Sequence, residues 1–199
     1  MQRRIAWGVL VALIGALFAW FLVLPRLSPH IFAGAVIQST QKAPRMELQS
    51  SDGSTVRMTD FEGKVVVVYF GYTFCPDVCP ATLSKLADAL ELLGDKAKDV
   101  QVMMVSVDPE RDTPELLADY VAHFHPDFLG ITSDEATVNR VATLYGVFYQ
   151  KSEGTEATGY TIDHTSTVIL VDREGYLKLV LPFEGTAEQI AADIDYFLG

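Results

Sequence analysis

The sequence predicts an α/β fold, a central mixed β-sheet flanked by helices, with one transmembrane helix in front of it. Three observations carry that expectation. A charge-free apolar run fills residues 5–24, β-branched runs alternate with amphipathic helical stretches from residue 65 onward, and the only two cysteines stand where the first core strand gives way to a helix.

Consider the apolar run first. Twenty helical residues at 1.5 Å each span about 30 Å, the thickness of a bilayer's hydrocarbon core. Arg3 and Arg4 precede the run, no acidic residue occurs before Glu47, and Trp7 and Trp20 lie toward its two ends. The positive-inside rule then holds the N-terminus in the cytoplasm and puts the rest across the membrane, in a bacterium as a single-pass inner-membrane protein with a periplasmic domain. A cleaved signal peptide, with Ala33-Gly34-Ala35 as its small-residue site, is the competing reading. The run is longer than the usual h-region of about 7–15 residues, and Pro25 and Arg26 separate it from that site. The expected organisation is an anchor over 1–26, a juxtamembrane tether over 27–43 and a folded domain over 44–199.

Without Arg3, Arg4 and Arg26, the exported part carries 12 basic against 26 acidic residues, a net charge of −14. That excludes nucleic acid and anionic membrane surfaces as natural partners.

Within the domain, residues 46–64 alternate around the turn signal Asp52-Gly53 and predict a short hairpin. VVVVYF (65–70) and VQVMMVSV (100–107) are continuous apolar runs, as expected of strands buried on both faces. Between them, Leu83, Leu86, Leu90 and Leu93 give residues 80–93 a helical apolar stripe. Thr113 followed by Pro114 marks a helix start. A short strand near 128–131 and a helix over 134–145 follow. Residues 149–163 form a polar insertion, 165–172 and 176–183 a second hairpin, and 186–198 a last helix. With a cysteine pair ending the first core strand, this order is similar to the thioredoxin-like fold.

Cys75 and Cys79 close too short a loop to be a useful structural disulfide, since stabilisation grows with loop length. At a helix start, unpaired N–H groups and the helix dipole favour thiolate, the form that binds metal and attacks disulfides. Spacing of i, i+4 puts both sulfurs on one helix face, so the pair suits a redox couple and a metal clamp alike. Asp77, between them, is a poor ligand for Cu(I) but suits the harder Cu(II) or a partner contact.

The thioredoxin-like resemblance implies that the residue just before the late strand 165–172 lies beside the cysteines, where redox members carry a cis-proline. Here that position falls at Ser166, and His164 stands two residues earlier. Two thiolates and an imidazole make a soft three-donor set suited to Cu(I); zinc with a water is the alternative. Asp163 is a candidate acceptor for the imidazole. His123 and His125 at a helix end, and Met103 and Met104 in a strand, read as structural.

GYTFCPDVCP (71–80), VSVDPERDTPE (105–115) and YTIDHTSTVILVD (160–172) together resemble the SCO/SenC family. That resemblance implies a metallochaperone binding copper, as Cu(I) or Cu(II), at Cys75, Cys79 and His164. It implies delivery to the CuA centre of cytochrome c oxidase subunit II, with an upstream copper donor as a further candidate partner, and some relatives act as thiol-disulfide reductases on the oxidase's cysteines or in redox signalling. The alternative is a thiol-disulfide oxidoreductase with Cys75 attacking and Cys79 resolving; a peroxidase fits less well. Asp108 and Arg111 read either as a partner-docking surface or as a salt-bridged turn.

Overall fold

A computed structural model describes residues 2–22, 29–50, 53–154 and 159–199. The chain divides into two units, Met1–Ile31 and Phe32–Gly199. The first contains helix α1 (Gln2–Leu22). Taken over the described residues, no helix is long and apolar enough to cross a membrane. The end of the expected 5–24 span, residues 23 and 24, lies outside the described residues.

The second unit is built on an eight-stranded sheet. Its strands are β1 (Ala35–Val36), β2 (Glu47–Ser50), β3 (Thr55–Arg57), β4 (Val65–Gly71), β5 (Val100–Ser106), β6 (Leu129–Thr132), β9 (Val168–Val171) and β10 (Leu177–Leu181). They lie in the order β1-β10-β9-β4-β5-β6-β2-β3. Every residue of β4 and β5 is buried, which is why both read as unbroken apolar runs. β4 runs parallel to β5 and antiparallel to β9, so it is the centre of a mixed sheet. Helix α2 (Val78–Leu93) packs against α5 (Ala187–Leu198), and α3 (Pro114–Ala122) against β6. The stripe Leu83, Leu86 and Leu90 of α2 is buried as its spacing predicts. Thr113 caps α3 by accepting from the Leu116 amide, with Pro114 in the first turn. Asp134 does the same for α4 (Glu135–Leu144).

Two boundaries differ from expectation. The domain begins at Phe32, not at residue 44. Ala35 pairs with Val180 and Val36 with Leu179, and the Ile37 and Ala43 amides donate to Lys178 and Gly175. This segment covers the otherwise open edge of β10, and Phe32 packs its ring on Tyr196 and Phe197 of α5. The late strand starts at Val168 instead of 165, because Thr165 is tied to Phe148 through both its amide and its hydroxyl. Of the expected turn Asp52-Gly53, Asp52 lies outside the described residues; β2 and β3 pair around it as the hairpin required.

The polar insertion is a separate two-stranded sheet, β7 (Tyr149–Glu153) against β8 (Tyr160–His164), with Tyr149 opposite His164. It carries the histidine to the edge of the main sheet where β4 and β5 end.

Candidate metal centre

The cysteines are held by the core. β4 ends at Gly71, the Cys75 amide donates to the Tyr72 carbonyl 3.3 Å away, and α2 opens at Val78. Cys75 therefore precedes the helix instead of lying on it, and Cys79 falls in the first turn. The chain bend still brings the sulfurs together, with the Cys79 amide donating to Cys75 Sγ at 3.4 Å. Cys79 is fully buried and Cys75 half-buried, both as free thiols.

Strand alternation places Tyr69 and Gly71 on the same face of β4, beneath Cys79. The Tyr69 hydroxyl donates to Cys79 Sγ at 3.4 Å. A Cβ on Gly71 would stand 2.7 Å from Tyr69 Cε1 and 3.0 Å from Cys79 Sγ, so glycine here makes room for the sulfur.

The histidine closes the third side. His164 Nε2 lies 3.5 Å from Cys79 Sγ, and Nδ1 lies 3.2 Å from the Thr165 carbonyl. A carbonyl only accepts, so Nδ1 is the donor to Thr165 and Nε2 is the ring nitrogen turned toward the sulfurs. Tyr69 and Tyr72 set their rings edge-on to the imidazole. The three donor atoms all fall within 4.8 Å of one another. Two sulfurs and one imidazole nitrogen at that spacing fit a soft monovalent ion, with Cys75 as the approachable side.

The thiols share one proton unequally. Cys75 is driven well below the ordinary thiol range, first by the hydrogen bond with Cys79 and then by its bonds to His164 and to the Asp77 and Cys79 backbone, against the effect of burial. Cys79 is driven up, first by its bond to Cys75 and then by burial. Tyr69 is also pushed up, chiefly by burial and then by the neighbouring sulfur charge. Cys75 is the thiolate of the pair.

Of the other residues singled out by sequence, Asp77 is exposed at the start of α2 and its carboxylate makes no capping bond. Asp163 faces outward and accepts from Ser152 Oγ at 2.6 Å, while the imidazole is held by Thr165 instead. Asp108 is completely buried and ion-paired with Arg111. His123 and His125 make local backbone bonds, as structural residues would.

Sequence reasoning missed Asp112. It is buried and accepts from Ser106 Oγ, the Thr73 amide and Thr73 Oγ1, pinning the loop that leads into Cys75. Burial pushes its carboxyl up, opposed by those bonds. Its signal, an aspartate next to a helix cap, pointed only to the helix start.

A family model described as SCO1/SenC matches residues 35–199. The chain belongs to that family. It is 37% identical over 134 residues to an SCO2-like protein of Rickettsia felis, covering 66% of this chain and 65% of that relative, a little under two thirds of its length. Among solved structures, apo Sco1 of Thermus thermophilus superposes with a TM-score of 0.75 at 40% identity, over 85% of this chain and 98% of the other. ScoI of Bradyrhizobium japonicum, solved with copper bound, superposes at 0.72 with 35% identity, over 79% of this chain and 100% of the other. The fold is the mixed α/β thioredoxin-like fold of the Sco proteins.

Proposed function

We propose that this SCO1/SenC protein is a copper-binding metallochaperone that carries copper on Cys75, Cys79 and His164 and hands it to the CuA centre of cytochrome c oxidase subunit II. The observation that carries the reading is the convergence of two sulfurs and one correctly oriented imidazole nitrogen within 4.8 Å. Support comes from the copper-bound Sco structures of Bradyrhizobium japonicum and Arabidopsis thaliana, at 35% and 31% identity. The recipient is inferred from the family resemblance of the three motifs.

Copper is cargo here, so the site must hold it and also release it. Three soft donors leave a coordination position open to an incoming ligand. Because Cys79 is buried and Cys75 half-exposed, a recipient's thiolate reaches the ion from the Cys75 side. Anchoring through residues 5–24, with the domain in the periplasm, completes the proposal. Its support is the charge-free run and the exposed apolar side chains of α1, among them Trp7, Leu13, Phe18 and Trp20.

One observation favours a second reading. A half-exposed thiolate bonded to a buried partner thiol is also the arrangement of an attacking and a resolving cysteine. The test is to load the reduced protein with Cu(I), then measure copper retention against a chelator beside disulfide-reductase activity, in wild type and His164→Ala. The chaperone reading expects His164→Ala to lose copper without losing reductase activity. Unchanged retention together with robust reductase activity would replace it with the oxidoreductase.

A further inference from the structure

The β7–β8 hairpin is not hydrogen-bonded into the main sheet, yet it ends on His164. Its position therefore depends on side-chain contacts, and one guanidinium is prominent among them. Arg111 Nε donates to Asp108 Oδ2 at 2.5 Å, and its Nη1 donates to the Tyr160 carbonyl on β8 at 3.1 Å. The Tyr160 hydroxyl donates to the other Asp108 oxygen at 2.6 Å. The Arg111 guanidinium carbon lies 3.6 Å from the Tyr160 ring centre and 4.7 Å from that of Phe74. Phe74 immediately precedes Cys75, and Tyr160 stands at the head of the strand that His164 ends. One planar cation thus bridges the cysteine loop and the histidine strand.

The chemistry suits a clamp. Asp108 is fully buried, and burying a carboxylate is costly unless an ion pair and hydrogen bonds compensate it, as Arg111 and Tyr160 do here. Arginine can stack between two rings and donate in its own plane at once; a lysine cannot. A second, outer tie, Lys151 to Glu110 at 2.7 Å, joins β7 to the same loop. It is solvent-exposed and contributes little by itself. Tyr72 adds an inner tie by accepting from the Ile162 amide at 3.2 Å.

We infer that Arg111 is a positioning residue that, clamped on buried Asp108 between Phe74 and Tyr160, sets the distance between His164 and the cysteine pair and so decides whether the imidazole is available as the third copper ligand. This gives the DPERDTPE loop a role in copper coordination instead of partner docking. The inference rests on reading Cys75, Cys79 and His164 as a copper site. It also makes the histidine the ligand that a local disturbance of the hairpin withdraws, leaving a two-sulfur site from which copper leaves more easily.

Two measurements test it, one of which needs no metal. In the copper-free, reduced protein, hydrogen exchange of the β8 amides is compared in wild type, Arg111→Met and Tyr160→Phe. Arg111→Met is expected to speed exchange in β8 by about tenfold or more while leaving β4 and β5 as protected as before. Tyr160→Phe keeps the stacked ring and removes the hydroxyl's bonds to Asp108 and, at 3.4 Å, to Glu110, so it is expected to give a smaller increase at the same amides. It carries the comparison should Arg111→Met not fold. Unchanged β8 exchange in the folded variants would overturn the clamp.

The second measurement is a Cu(I) competition titration of wild type, Arg111→Met, His164→Ala and the double variant. A residue acting through His164 is expected to cost about tenfold or more in affinity, and nothing further once His164 is gone. Wild-type affinity in Arg111→Met, or losses that add in the double variant, would overturn the inference. If His164→Ala itself binds as wild type does, the three-ligand reading of the site fails, and the exchange experiment still judges the clamp.

Discussion

The two sides of the candidate metal centre are built differently. The cysteine side is part of the core: β4 is buried along its whole length, α2 lies on it, and Tyr69, Gly71 and Asp112 fix the loop between them. The histidine side is a hairpin outside the main sheet, docked by Arg111, Tyr160 and Tyr72. Core packing and peripheral docking differ in what disturbs them. Core elements open only with the whole domain, whereas a hairpin held by a few side chains can open alone. On the proposed reading, a carrier that must keep copper and then part with it has its two sulfurs on the first kind of support and its nitrogen on the second.

Mutations can separate the two sides. The largest stability effect is expected from the core: Leu83→Ala, at a fully buried position of α2, should cost about 2–5 kcal/mol in denaturant unfolding. If the cysteine side is as integral to the core as described, Cu(I) affinity should fall with it in conditions where the variant is partly unfolded. Gly71→Ala comes next. Its Cβ would crowd Tyr69 and Cys79, and overpacking of this kind costs about 1–3 kcal/mol. Weakened copper binding is expected as well, because the sulfur itself must move. Full stability and full affinity in Gly71→Ala would break the link between β4 and the site.

Smaller in stability is Asp112→Asn. It keeps the shape but removes the charge that accepts from Thr73 and Ser106, with an expected cost of about 1–3 kcal/mol. The effect should concentrate on the loop into Cys75, read as faster exchange of the Thr73 amide. The smallest change is chemical. Since the Cys75 thiol is held well below the ordinary range, it remains thiolate at neutral pH and below, so its alkylation should stay nearly constant from pH 8 down to about 5. An ordinary thiol loses about tenfold in rate per pH unit over that interval. A tenfold fall per unit at Cys75 would show that Cys79 does not stabilise its thiolate.

The contrast between the two sides also explains what the sequence could disclose. β4, β5 and α2 were legible because burial on both faces leaves an unbroken apolar run and a buried stripe leaves leucines at helical spacing. The candidate ligands were legible too, Cys75 and Cys79 by their place at a strand end and His164 by its place before the late strand. What escaped were relations across the chain. Tyr69 looks like any core aromatic until the fold puts its hydroxyl against Cys79. Asp112 and Tyr160 have no local pattern to mark them, because their partners lie far away in sequence. Asp163 was a reasonable acceptor for the imidazole by adjacency, but strand alternation turns neighbours to opposite faces, and the Thr165 carbonyl takes that place. The segment from Phe32 to Ala43 lacked a periodic pattern because a two-residue edge strand is too short to have one, although it completes the sheet.

The central claim is that two sulfurs and one imidazole nitrogen hold the copper, and X-ray absorption at the copper edge reads that set directly. The reduced protein loaded with one equivalent of Cu(I) should give two sulfur scatterers and one nitrogen, with the nitrogen lost in His164→Ala and one sulfur lost in Cys75→Ser. A wild-type spectrum without a nitrogen contribution, or one that His164→Ala leaves unchanged, would contradict the account.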